Sequence, residues 1–147
     1  MESIGKLNAA IYRNLQSILN AKLKDLPIRS GQHDFLYVIS LQEGITQKEL
    51  SEYLYVGKAT TAKACKNLMA HGYIRMEKDK KDRRFERLYL TELGRAAAPR
   101  IHETFMELVA VTIQDLSSEE AEAVVRLLRK ILETLAKEKQ SIGEQDE

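Results

Sequence analysis

Three residues, Tyr55-Val56-Gly57, separate two helix-length segments, and so short a break admits only a tight turn between them. The first segment opens on Thr46-Gln47-Lys48-Glu49. This is a capping box, in which the threonine hydroxyl satisfies the amide of Glu49 while that carboxylate reaches back. It predicts a helix from Gln47 to Leu54 with Leu50, Tyr53 and Leu54 apolar. The second segment runs from Lys58 to about His71 and stops at Gly72. Tyr73–Lys78 and Arg87–Leu90 then read as short strands. In the second, Leu88 and Leu90 alternate with Arg87 and Tyr89, as in a half-buried strand. Between them, Asp79-Lys80-Lys81-Asp82-Arg83-Arg84 is too charged for a core, so a hairpin with a long basic tip is expected.

The flanks are helical. Ile4, Ile11 and Ile18 recur every seven residues on an amphipathic helix that ends at Leu26-Pro27. A second helix is expected from about Ser30, its N-cap, with Phe35, Leu36, Val38, Ile39 and Leu41 apolar and Gly44 closing it. Thr91 caps a later helix carrying Ile101, Phe105, Leu108, Val109 and Ile113, in which Pro99 should make a kink but not an end. Ser117-Ser118-Glu119-Glu120 is a second capping box. It starts a helix with Ala121, Val124, Val125, Leu128, Ile131, Leu132 and Leu135 on one face. Gly143 to Glu147 reads as a solvated tail.

Helix, turn, helix, hairpin is the order of a winged helix-turn-helix. At 147 residues, 44% hydrophobic and 31% charged, the chain has the size and composition of one globular domain. The expected fold is therefore mainly α with a small β-hairpin wing. The winged helix-turn-helix would fill 28–91, with 47–54 as its first helix, 58–71 as its recognition helix and 73–90 as its wing. Dimerisation helices would flank it in 1–25 and 92–140, because their apolar stripes exceed what a small winged domain can cover.

Charge distribution suggests a partner. Val56 to Thr91 holds ten Lys and Arg against four acids, whereas Gln114 to Glu147 holds five against nine. No carboxylate occurs between Gly57 and Arg75 to repel a phosphate backbone. Lys58, Thr60, Lys63, Lys66 and Asn67 lie mostly on one side of their helix. Thr61, Ala64, Cys65 and Leu68 sit at packing spacing, and Thr61 is counted among the DNA contacts as well. A basic helix face alone would equally suit a solvated surface. The neighbouring hairpin, with Lys78, Lys80, Lys81, Arg83 and Arg84 braced by Asp79 and Asp82, favours entry into a minor groove.

Other classes find little support. The chain has no Ser/His/Asp set, no paired carboxylates in an apolar frame and no glycine-rich phosphate loop, so neither an enzyme nor a cofactor is expected. His33, His71 and His102 lie far apart, which argues against a metal and for surface or capping roles. Cys65 reads as a buried structural thiol, and Tyr53, Tyr55 and Tyr73 read as packing residues. A lone cysteine, no apolar leader and no membrane-length stretch suggest the cytoplasm. The alternative is a winged helix used for protein contacts, which would have no need of free wing cations.

The stretches Ile45-Thr46-Gln47-Lys48-Glu49-Leu50, Lys58-Ala59-Thr60-Thr61 and Leu68 to Ile74 resemble the MarR family (multiple antibiotic resistance regulators). Most specific is Asp79-Lys80-Lys81-Asp82-Arg83-Arg84 followed by Leu88-Tyr89-Leu90-Thr91-Glu92-Leu93-Gly94, similar to the family's wing signature. The resemblance implies a dimeric repressor of a palindromic operator, joined by its first and last helices. It places the Lys58–Leu68 helix in the major groove and the wing in the minor groove, with Arg84 as groove reader and Asp82 as its brace. Lys80, Lys81 and Arg83 would add contacts. Gly57 and Ala62 depart from the acidic or polar residues frequent at those positions. Many relatives release DNA on binding phenolic or aromatic carboxylate effectors. A cleft of that kind would draw on Tyr12, Arg13, His33, Phe35, Tyr37, Arg100 and Phe105, though no ligand residue is assigned.

Overall fold

The computed structural model describes residues 1–29 and 31–145, with the side chains of 144 and 145 left aside. Its elements are α1 (Ile4–Lys22), α2 (Gln32–Leu41), α3 (Gln47–Leu54), α4 (Lys58–Ala70), β1 (Ile74–Lys78), β2 (Glu86–Leu90), α5 (Glu92–Ile113) and α6 (Ser118–Gln145). They form two compact units, Met1–Glu107 and Leu108–Glu147, with α5 running from one into the other.

In the first unit, α2 is the central helix. Phe35, Leu36, Val38 and Ile39 are all buried, as a helix apolar on most sides must be. It packs against α3, α4 and β2. Leu36, Ile39, Leu50, Leu68, Leu88 and Ile101 are fully shielded, each contributing about 1.5–3 kcal/mol of hydrophobic burial. The serine cap expected at Ser30 lies outside the described residues. Gly31, at φ 88°, occupies the N-cap instead. At the start of α3 the amide of Glu49 donates to Thr46 Oγ1 at 3.2 Å, and that hydroxyl donates to Glu49 Oε1 at 3.0 Å. The carboxylate thus reaches back to the hydroxyl of Thr46.

A Schellman turn ends α4. Gly72, at φ 81°, allows its own amide to donate to Met69 O and that of Tyr73 to Leu68 O. Because Tyr73 is spent on this cap, β1 begins one residue later than expected, at Ile74. The antiparallel register runs from Ile74–Leu90 to Lys78–Glu86, which brings Glu86 into β2. The carbonyl of Tyr73 accepts from the Thr91 amide, and Thr91 Oγ1 donates to Gly72 O at 2.5 Å while accepting from the Gly94 amide. This knot packs so closely that a Cβ on Gly94 would stand 2.1 Å from Tyr73 O. The glycine of the Leu-Thr-Glu-Leu-Gly run is therefore a close-approach residue. Beyond it, α5 continues through Pro99.

The second unit is a helical hairpin. Its turn is closed by a full capping box, Ser117 N to Glu120 Oε1 at 2.9 Å and Glu120 N to Ser117 Oγ at 3.1 Å. The 28-residue α6 reaches Gln145, so Gly143 to Gln145 continue a helix where a loose tail was expected. The last two residues of that tail lie outside the described ones. Val109, Ile113, Ala121 and Val125 line a groove of about 630 Å³ together with Arg126, Arg129 and Lys130. Val124, Val125, Leu128, Leu132 and Leu135 are exposed on α6, as are Ile4, Leu7, Ile11 and Ile18 on α1.

Candidate nucleic-acid interface

The angle between α3 and α4 is set by buried polar groups. Tyr55 takes the left-handed conformation (φ 57°) and lets the Val56 amide donate to Ser51 O at 3.0 Å. Ser51 Oγ donates to Thr61 Oγ1 at 2.6 Å, and Thr61 Oγ1 donates to Gly57 O at 3.1 Å. Thr61 is fully buried. Its place among the DNA contacts is therefore corrected: it faces α3, one turn before Ala64 and Cys65 and two before Leu68, and fixes the helix that carries the contacts.

The outward face of α4 holds the others. Lys58, Thr60, Lys63 and Lys66 are exposed and Asn67 is half-buried. Between α3 and α4 lies a notch of about 220 Å³ lined by Gln47, Lys48, Ser51, Lys58 and Ala62. Lys48 thus extends the basic surface onto α3. In the sequence Lys48 belongs to the Thr46–Glu49 capping box and gives no separate sign of a contact.

The wing is held by its two aspartates. Asp82 accepts from the Arg84 amide at 3.1 Å and from the Arg84 guanidinium through Nε at 2.9 Å and Nη2 at 2.7 Å. Arg84 nonetheless keeps 86% of its side chain exposed, so it is aimed and solvent-facing at once. Lys80, Lys81 and Arg83 are exposed around it. Asp79 Oδ1 accepts from the amides of Lys81 (2.7 Å) and Asp82 (3.1 Å), and Oδ2 accepts from Arg87 Nε at 2.5 Å. Arg87 Nη1 in turn donates to Gly44 O at 2.8 Å. These bonds, Arg87's first, hold the Asp79 carboxyl down at about 2, and the Arg84 hydrogen bond lowers Asp82. Both carboxylates are ionised at neutral pH.

Tyr73 is buried as a packing residue, but Tyr53 and Tyr55 are exposed, as is Phe85 at the wing tip. Cys65 is fully buried, and burial pushes its thiol up to about 11. His71 is a capping histidine, its Nδ1 bonded to Asn67 O at 2.9 Å. His33 is not at the surface: it is fully buried, and burial lowers its pKa. Among the residues considered for an effector cleft, Phe35 is in the core and Tyr37 stacks on Phe105 at 4.5 Å. Arg100 is committed to the Asp25 carboxylate and Lys22 O. Tyr12 and Arg13 are exposed.

Residues 24–84 match the model of the MarR family. A helix-turn-helix transcriptional regulator of Bacillus subtilis, YybA, is 30% identical over 87% of this chain and 85% of its own. Among solved structures, a MarR protein of Peptoclostridium difficile superposes with a TM-score of 0.83 at 32% identity, covering 94% of this chain and 91% of that one. A MarR-family regulator of Listeria monocytogenes, crystallised with a 26mer DNA, gives 0.83 at 29% identity over 94% and 92%.

Proposed function

The chain belongs to the MarR family of DNA-binding transcriptional regulators, and on that premise we propose that it is a cytoplasmic repressor. It binds a palindromic operator as a homodimer and is released by a small aromatic anion. The observation that carries the reading is the pairing of two basic surfaces on one fold. The exposed cations and Thr60 of α4 suit a major groove, and Arg84, held on Asp82, suits the adjoining minor groove. The exposed apolar residues of α1 and α6 support assembly with a second copy, since a monomer would leave them in water. A two-fold dimer then requires half-sites about one helical turn, or 10–10.5 base pairs, apart.

Footprinting on the DNA flanking its own gene, with sedimentation of the free protein, tests this. A protected palindrome and a dimer are expected. A soluble, well-folded monomer, or protection without two-fold symmetry, refutes the assembly. For the effector, a salicylate-like anion must both raise the melting temperature of the free protein and weaken operator binding. Absence of any saturable shift with aromatic anions removes that part and leaves the DNA-binding role intact.

A further inference from the structure

We infer that Asp79 and Arg87 are positioning residues for DNA recognition, joining the wing tip to the corner between α2 and α3 and presetting it for the duplex. This deepens the DNA-binding reading and rests on it.

The hydrogen bonds form one continuous line. At the tip, the amides of Lys81 and Asp82 converge on Asp79 Oδ1. The other carboxylate oxygen accepts from Arg87 Nε, and Arg87 Nη1 ends on Gly44 O, 43 residues away in sequence. Gly44 and its neighbours are themselves fastened to β2. The Gly44 amide donates to Leu88 O at 2.7 Å, the Leu88 amide to Ile45 O at 2.9 Å, and Thr46 forms a bridge with Arg87. The same corner supports the N-cap of α3, where Thr46 receives Glu49. The wing tip is thereby referred to the frame that carries the helix-turn-helix. Asp82, which aims Arg84, has its own amide in this line. A tip with so many cations would otherwise splay by self-repulsion, and a splayed Arg84 would lose side-chain and backbone entropy on docking.

Charge alone makes the opposite forecast for one of the two residues. Asp79 is a negative charge in a surface meant for phosphates, so its neutralisation should tighten binding on electrostatic grounds. Loss of Arg87 should weaken it. If the pair acts as a brace, both losses weaken binding.

The test is a set of Asp79→Asn, Arg87→Gln and the double variant, each alone and combined with Arg84→Ala. The probe is an A·T-rich duplex at low salt, read by fluorescence anisotropy. We expect each single variant to weaken binding about five- to twenty-fold, the scale of a lost charge-assisted contact. The double variant should be no worse than either single. In the Arg84→Ala background the effect of Asp79→Asn should shrink below about two-fold. Hydrogen exchange at the Lys81 and Asp82 amides should accelerate in both single variants while the amides of α4 stay protected. Tighter or unchanged binding by Asp79→Asn, or a fully multiplicative combination with Arg84→Ala, overturns the inference. Should Asp79→Asn fail to fold, Arg87→Gln breaks the same line, and its unchanged tip exchange would refute the brace. If the wild-type chain binds no duplex, the DNA-binding reading fails by itself, and exchange still reports whether the line exists.

Discussion

Replacing Gly94 with alanine sets two effects of opposite sign against each other at one atom. Gly94 lies in the first turn of α5, and on helix propensity alone the change stabilises by up to about 1 kcal/mol. The new Cβ, however, would stand 2.1 Å from Tyr73 O, 3.1 Å from Tyr73 C and 3.3 Å from Leu90 Cδ2. A carbon–oxygen contact needs about 3.3 Å, so the helix start and the Tyr73 peptide must part by roughly 1 Å. Both are backbone, and neither can swing aside as a side chain would. Overpacking of this kind costs about 1–3 kcal/mol. The separation also strains the Thr91 N to Tyr73 O bond at 3.1 Å, worth about 1 kcal/mol. The balance is a loss of about 2 kcal/mol, or roughly 4–8 °C in melting temperature for a chain of this size. Urea and thermal unfolding of Gly94→Ala measure it. Gly5→Ala, on α1 with nothing within 4 Å of the new atom, is the control and should be neutral or slightly stabilising. A Gly94→Ala protein as stable as wild type would show that this junction yields easily and that the glycine answers to something other than close approach.

Arg84→Ala should leave melting unchanged and weaken operator binding by about 1–3 kcal/mol; wild-type affinity across a salt titration would refute the groove-reading role. Thr61→Val should cost about 1–3 kcal/mol of stability by stranding the Ser51 hydroxyl, while Lys63→Ala should spare stability and make the salt dependence of DNA binding shallower by about one unit. Cys65 should resist thiol reagents at pH 8 in the native protein and react on unfolding, since its thiol is buried and raised to about 11; rapid native labelling would contradict this. Asp79 is depressed in the folded state, so its contribution is complete above the ordinary carboxylate value of 3.8 and fades as pH falls towards about 2. An NMR titration of its carboxyl carbon with a midpoint near the ordinary value would exclude the Arg87 pairing.

Much of this fold was legible because its elements are punctuated by local chemistry. The capping bonds of Thr46, Gly72, Thr91 and Ser117 each close within a few residues, and the helix boundaries they imply hold to a residue or two. What depended on distant partners was not legible. Thr61 could serve either face of α4 because Ala59, Ala62 and Ala64 around it leave the helix only weakly amphipathic. Tyr53 and Tyr55 suit packing roles by their apolar area, yet Tyr53 lies on the outer face of α3, away from Leu50 and Ser51, and Tyr55 sits in the exposed left-handed turn. His33 gave no sign of burial, since the polar tip of histidine is compatible with surface or core. The partnership of Arg87 with Gly44 needs the β2 register and the α2–α3 corner together, and no spacing in the sequence encodes that.

The backbone bonds from Gly44 and Ile45 to Leu88 also bear on solubility at high concentration. A two-stranded hairpin offers two open edges on which a stranger's strand could grow. Here β2 is flanked on one side by β1 and on the other by the 44–46 segment, which takes the outward amide and carbonyl of Leu88, while the Leu90 amide donates to the Glu43 carboxylate. Among the described strands, the outer edge of β1 is the one left to solvent, and there Arg75, Glu77 and Lys78 are exposed, with Arg75 ion-paired to Glu77. Short length and alternating charge make that edge a poor template for stacking. Exchange of Arg75 and Glu77 for valine would remove the deterrent while keeping the strand, and the chain should then form intermolecular sheets as its concentration rises.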